Sequence, residues 1–367
     1  MYIDDRRTVV TLDAGGTNFV FSAMRGCEFI VSPFSLAAHP EDLSLCLETM
    51  VEGFRQVIRN LDEPPVAISF AFPGPADYAN GIIGGFLPNF PSFRDGVPLK
   101  AFLEERFSLP VFINNDGDLF AYGEALCGVL PEINRRLEAS GSTKRYKNLL
   151  GYTFGTGFGV GMVVNGRLNR GDNSCVETFC LRHKHDPSLI AEAGVSVRAL
   201  TSAYASLSGD GDGSLSPKDI SQIALGLKEG DREAARKSFA LMGEVAGDAI
   251  ASAASLVDGI IVLGGGITAS HGLFMPALLG ELRSELRNLN GESVRRLQME
   301  VFDLDNPSEF EKFAKGEVKE VKIPGTDRCV QFDTMKRVGI CISKLGASKA
   351  ISIGAYTFAL SELDIAE

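Results

Sequence analysis

The stretch Thr8-Val9-Val10-Thr11-Leu12-Asp13-Ala14-Gly15-Gly16-Thr17-Asn18-Phe19-Val20-Phe21 decides how this chain is read. Residues 8–12 are an apolar run that predicts a strand, and residues 19–24 predict a second strand, so Asp13 to Thr17 form the tip of a β-hairpin. The pattern returns at Phe154-Gly155-Thr156-Gly157-Phe158-Gly159, between the strand-like runs 149–153 and 159–164. Glycines let backbone N–H groups come close to an anion, and the threonine hydroxyl adds a donor. One such turn is an ordinary hairpin feature. Two, in the same setting in the two halves of one chain, predict two lobes gripping one polyphosphate.

The 367 residues suffice for about two domains, and 45% apolar residues allow large cores. A net charge of −11 argues against general nucleic-acid or anionic-membrane binding, but not against a nucleotide, which backbone amides and a metal can hold. The polar start, residues 1–7, is unlike a signal peptide, and no apolar run reads as a membrane span; the longest, about 258–267, is broken by glycines. Seven scattered cysteines predict reduced thiols in a cytoplasmic protein. Phenylalanine, present 24 times with no tryptophan, predicts phenylalanine-rich cores.

Beyond the first hairpin the pattern predicts a strand over 28–34, a helix over 41–60, a buried strand over 66–71, a helix over 99–107 and a strand over 111–113. The second half repeats the order: strands over 149–154, 160–164 and 167–170, helices over 217–227 and 231–257, a strand over 259–263, a helix over 273–289, a strand over 338–343 and a helix over 348–363. Hairpin strands followed by helix–strand alternation, twice, predict two similar α/β domains. The boundary is expected within 128–147. The N-terminal domain then comprises 1–127 with the final helix, 348–367, and the C-terminal domain comprises 128–347. Residues 301–334 read as an inserted loop and hairpin.

Four features carry chemistry. Asp116, in Asn114-Asn115-Asp116-Gly117-Asp118, follows a buried strand, where ligand clefts open in α/β proteins. There it can take a proton from a hydroxyl attacking phosphorus, or it can simply cap the next helix, unless Asn114 or Asn115 does so. Asp13 can orient Mg²⁺ or stabilise its turn. Gly15, Gly16 and Thr17, and Gly155, Thr156 and Gly157, suit phosphates, though each set also makes a plain tight turn. Gly264-Gly265-Gly266 lets a backbone pass close to a nucleotide, or serves as a helix-entry turn.

At these residues the chain resembles the ROK family of sugar kinases and repressors. Asp13-Ala14-Gly15-Gly16-Thr17 is similar to its opening phosphate motif, and Pro73-Gly74-Pro75 and Pro88-Asn89 to its Pro-Gly-Pro and Pro-Asn segments. Asn115-Asp116 followed by Gly123-Glu124 resembles its catalytic block. Gly155-Thr156-Gly157 with Asn165-Gly166 and Arg170-Gly171 resembles its second phosphate loop, and Leu263-Gly264-Gly265-Gly266 its nucleotide-side loop. The blocks keep the family's order over about 8–290 and 338–360. The resemblance implies an actin-like, ribonuclease-H-like two-domain fold with a cleft, and a homodimer. It implies ATP-dependent phosphorylation of a hexose or N-acetylhexosamine, at the 6-hydroxyl, with Asp116 as base and Mg²⁺ on the phosphates. Gly74, Asn89, Asn115, Glu177 and Glu192 would bind the sugar. A sugar sensor without kinase activity is the alternative; the family's repressors carry a DNA-binding segment ahead of the first glycine turn, and here only seven residues precede the strand at Thr8.

The chain departs from the family after Glu177. Glu177-Thr178-Phe179-Cys180-Leu181-Arg182-His183-Lys184-His185 has Cys180 where the usual His falls by direct count, unless His183 takes that role, and it lacks the Cys-x-Cys-Gly pattern of the zinc loop. Cys175, Cys180, His183 and His185 are soft ligands whose spacing does not match a common structural zinc site, so no structural zinc is expected.

Overall fold

The computed structural model describes residues 2–209 and 215–366. Met1 and Glu367, the outer limits of the expected domains, and 210–214 within the second lie outside them.

In chain order, β1 (Val9–Ala14) and β2 (Asn18–Arg25) close a hairpin around the first glycine turn, and β3 (Glu28–Ala37) extends it antiparallel. Asp42 caps α1 (Leu43–Arg59) by accepting from the Leu45 N–H at 3.0 Å, and the helix buries Cys46, Met50, Phe54 and Val57 at helical spacing. Next come β4 (Ala67–Ala71), buried throughout, and a small meander of β5 (Ala76–Asp77), β6 (Ile82–Ile83) and β7 (Val97–Pro98). Then follow α2 (Leu99–Phe107), β8 (Val111–Asn114) and α3 (Asp116–Leu126). The five-stranded sheet has the order β3-β2-β1-β4-β8, with β1, β4 and β8 parallel. Its core is rich in phenylalanine: Phe19, Phe21, Phe54, Phe70, Phe72, Phe90 and Phe93 are fully buried, and Phe21 meets Phe54 edge-on at 5.3 Å.

The chain continues through α4 (Val129–Ala139), β9 (Leu149–Phe154), β10 (Phe158–Val164) and β11 (Arg167–Leu168). After them come α5 (Val197–Ser208), α6 (Pro217–Leu225), α7 (Arg232–Val257), β12 (Ile260–Gly264) and α8 (His271–Leu282). The remaining elements are β13 (Glu285–Arg287), β14 (Ser293–Arg295), β15 (Glu300–Asp303), α9 (Pro307–Lys315), β16 (Val318–Lys322), β17 (Cys329–Asp333), β18 (Arg337–Ile342) and α10 (Ala347–Ala366). In the second sheet β9, β12, β18 and β15 run parallel in that order, with β10 beside β9. Helix α7 is long and apolar enough to cross a membrane by length and composition, yet its small residues face α8: Gly243 lies on the Phe274 carbonyl and Gly247 on that of Leu278.

Contacts divide the chain into two compact units, Met1–Pro131 with Gly161–Val176 and Lys344–Glu367, and Glu132–Val160 with Glu177–Ser343. The expected division left 161–176 with the second half. The structure groups it with the first because Gly161 lies against the Gly117 carbonyl and Ala121 of α3, where no Cβ fits. The first change from one unit to the other, at Pro131 and Glu132, lies within the range 128–147 expected for the boundary and inside α4, whose Ile133 and Leu137 are buried.

Three further expectations are corrected. The helix over 273–289 ends at Leu282, because 285–287 pair with 293–295 as a hairpin. The insertion over 301–334 is mostly regular structure. Val301 and Phe302 are buried in a strand paired with β18, and Phe313 of α9 stacks on Tyr146 at 5.4 Å, which leaves only the β16–β17 hairpin standing off. Cys27 and Cys127, expected as free thiols, pair as a disulfide, leaving five free cysteines.

Helix α10 lies on α3 through glycines: a Cβ on Gly354 would overlap the Leu119 carbonyl, and one on Gly123 that of Ala350. Gly354→Ala is expected to lower stability in urea unfolding by about 1–3 kcal/mol through overpacking. Gly280→Ala, in α8 with open space around it, should instead raise it by about 0.5–1 kcal/mol through helix propensity.

Candidate active site

In the first unit the register of three parallel strands sets the site. Asp13 of β1 pairs with Ala71 of β4, and Ala71 with Asn114 of β8, so the turns that follow leave the sheet at one level. The turn after β1 exposes Gly15 and Thr17. Asn89 is exposed, and its Cβ is 3.0 Å from where a Cβ of Gly16 would stand, so the Pro-Asn segment lies against the first glycine turn. Gly74 is held by Tyr78, whose hydroxyl donates to the Phe72 carbonyl at 2.8 Å and stands 2.9 Å from the place of a Gly74 Cβ.

The cap of α3 is Asn115, whose Oδ1 accepts from the Gly117 N–H at 2.8 Å. Asp116, the first helical residue, is exposed as a residue, and its Oδ1 also accepts from Gly117 at 2.8 Å. Crowding by protein atoms pushes its pKa up, and the backbone N–H groups at the helix start pull against that shift. Asp13 is half-buried; burial first, and then the charge of Asp116, raise its pKa. The two carboxylates therefore lie within each other's field, one at a strand end and one at a helix start.

Sequence reasoning missed the support behind them. Asn114 is fully buried, and its Oδ1 accepts from Arg170 Nη1 at 2.9 Å, while the Arg170 guanidinium sits 5.1 Å over the Phe358 ring. Only the quoted Arg170-Gly171 dipeptide hinted at this. Glu124, also fully buried, accepts from the Val129 N–H at 2.8 Å and so serves the start of α4.

In the second unit, Gly155-Thr156-Gly157 turns between β9 and β10 with Thr156 exposed. The Gly155 carbonyl accepts from the Val197 N–H at the start of α5, at 2.8 Å. Gly264 pairs with Thr153, and Gly265 has φ +93° and packs on the Phe154 backbone, a conformation and approach open to glycine alone. Glu192 braces the turn: its Oε2 accepts from the Phe158 N–H at 3.0 Å and stands 2.7 Å from where a Gly157 Cβ would be. The structure thus places Glu192 at the second glycine turn, a neighbourhood its expected sugar role did not suggest. Glu177 is half-buried, and the Cys180 thiol lies 3.9 Å from its carbonyl.

The residues weighed as zinc ligands have protein partners. His183 Nδ1 accepts from the backbone N–H groups of His185 and Asp186 at 3.2 and 3.1 Å. His185 Nε2 meets Glu244 at 2.8 Å, and the Cys175 thiol donates to the Asn173 carbonyl at 3.1 Å. Burial, then the charge of His185, holds the His183 pKa below the usual histidine value, matching an Nδ1 that accepts two hydrogen bonds.

The chain has relatives among known proteins. Residues 9–178 match the model of the ROK family. The chain is similar to the crystal structure of a glucokinase from Parabacteroides distasonis, at 55% identity over 98% of this chain and 99% of that one, with a TM-score of 0.90. It is 29% identical to a xylose repressor of Bacillus spizizenii over 34% of this chain and 29% of that protein. It is 32% identical to a glucokinase of Thermotoga maritima over 34% of this chain and 38% of that protein. The chain therefore spans about a third of the length of these curated relatives. The likeness to the Parabacteroides distasonis structure, by contrast, runs end to end and gives the actin-like α/β fold, and with the matching family model it shows that this chain belongs to the ROK family.

Proposed function

We propose that the protein is an ATP-dependent sugar kinase of the cytoplasm, transferring the γ-phosphoryl group of ATP to the 6-hydroxyl of a hexose or N-acetylhexosamine. The observation that carries this reading is the Asp116 carboxylate at the start of α3, close enough for its charge to act on Asp13, and beside the strand level from which the first glycine turn departs. The end-to-end relation to a glucokinase at 55% identity supports it.

In this reading Asp116 accepts the proton of the attacking hydroxyl, which then bonds to phosphorus as the bond to ADP breaks. Its raised pKa makes it a stronger base than an ordinary carboxylate. Asn115, Asn89, Gly74 and Glu177 orient the sugar. Gly15, Gly16 and Thr17, and separately Gly155, Thr156 and Gly157, offer backbone and hydroxyl donors to phosphate oxygens, and Gly264 and Gly265 keep side chains off the nucleotide. The oxygen donors of Asp13 suit Mg²⁺, which neutralises charge on the outer phosphates when bound. Glu192, holding the Phe158 N–H, keeps the second turn in shape.

A coupled ADP-release screen with Mg-ATP over hexoses and amino sugars tests the proposal. Turnover with a sugar is expected, and sugar binding without ADP release would make the protein a sensor instead. Asp116→Asn is expected to keep sugar affinity while turnover falls at least about 10²-fold, as for loss of a positioned base; near-normal turnover would remove Asp116 from that role. Because both carboxylates hold their protons to higher pH than ordinary, kcat/KM should fall on acidification at a pH above the usual aspartate value of about 4. In carboxyl-carbon NMR titration, Asp116→Asn should lower the pKa of Asp13. Gly157→Ala drives Glu192 off the Phe158 N–H, and a rise of about tenfold in KM for ATP is expected, the worth of one hydrogen bond.

A further inference from the structure

The β16–β17 hairpin takes no part in the function above. Its two strands form a sheet of their own, and every residue of both is exposed except Asp333, which is half-buried. A lone two-stranded hairpin is marginal in water, and an open strand edge is a template for another strand. We propose that β16 pairs antiparallel with β16 of a second copy of this chain, about a two-fold axis at Val321.

The backbone pattern leaves the required groups free. The Ile323 N–H donates to the Arg328 carbonyl at 2.8 Å, and the Thr334 N–H to the Glu317 carbonyl at 2.9 Å. Antiparallel ladders alternate, so 317, 319, 321 and 323 turn their backbone groups toward β17, while 318, 320 and 322 turn theirs outward. Two-fold pairing sets a residue opposite itself at the axis and makes the flanking pairs symmetric. An axis at 319 opposes two lysines, and one at 320 opposes two glutamates. An axis at 318 runs the pairing off the start of the strand. An axis at 321 opposes Val321 to the partner's Val321, Glu320 to the partner's Lys322, and Lys322 to the partner's Glu320. Residues 320 and 322 are the ones whose N–H and C=O groups point outward, so the charge pairs are also the hydrogen-bonded pairs.

Composition favours the same contact. Residues 317–333 hold three basic and four acidic side chains, near balance, in a chain of net charge −11, so this is a region where two copies approach with little repulsion. Val321 and Val330 are cross-strand partners, and Phe332 shares their face; they are 45%, 49% and 55% exposed. Two-fold pairing puts this apolar face of both copies on one side of a four-stranded sheet, as one continuous strip.

Sedimentation of the full chain at micromolar concentration tests the proposal. Lys322→Glu opposes glutamate to glutamate twice and should halve the mass. Glu320→Pro removes an outward N–H that the hairpin does not use and should do the same. The swap of Glu320→Lys with Lys322→Glu restores opposite charges and should recover the mass. In a Cys329→Ser background, Val321→Cys should cross-link on mild oxidation, because residues at a two-fold non-hydrogen-bonded pair lie about 4.5 Å apart between Cα atoms, whereas Val330→Cys should not. Equal mass for the natural chain and Lys322→Glu, failure of the charge swap to recover it, or cross-linking of Val330→Cys as fast as Val321→Cys would overturn the proposal.

Discussion

The register of β1, β4 and β8 is the constraint on which the first unit's site depends. Asp13, Ala71 and Asn114 stand side by side on three parallel strands, so the glycine turn, the Pro-Gly-Pro segment and the start of α3 all begin from one edge. A slip of one residue in any strand would turn that strand's side chains to the opposite face and unmake the grouping. The register is held by burial: all of β4 is buried, with a phenylalanine-rich cluster including Phe21, Phe54 and Phe70 in one core and Val9, Ala67, Met24, Tyr356 and Leu360 in another. The second unit uses the same device, with Thr153 of β9 beside Gly264 of β12.

The chemistry is tuned around that edge. Asp116 lies one residue past the helix cap, so Asn115 serves the helix and the carboxylate stays available. Arg170 donates to the Asn114 amide oxygen and lies over the Phe358 ring. Burial raises the affinity of both Asp13 and Asp116 for protons, and the like charge of Asp116 adds to the rise at Asp13.

Glycine has a second use here beyond turns. At Gly161, Gly354 and Gly123 it lets helices and strands touch at backbone distance, which draws the β10–β11 hairpin and α10 onto α3. These contacts tie the helix carrying Asp116 to segments far away in sequence. In the segment after Glu177, hydrogen bonds to His183, the ion pair of Lys184 with Glu281 and the contact of His185 with Glu244 do the local holding.

Local pattern was enough to place both glycine hairpins, the buried strands, α2 and the Asn115-Asp116 block, because alternation, helical spacing and turn residues act over a few neighbours. It could not choose between Asn115 and Asp116 as helix cap, since both side chains suit that role and only the backbone geometry separates them. Nor could it foresee Arg170 on Asn114, Glu192 on Phe158, the Cys27–Cys127 pair, or β15 inside the second sheet. Those partners are separated by some 34 to 100 residues in the chain. Such meetings follow from how sheets and helices stack, a property of the packed whole to which no short window of residues responds.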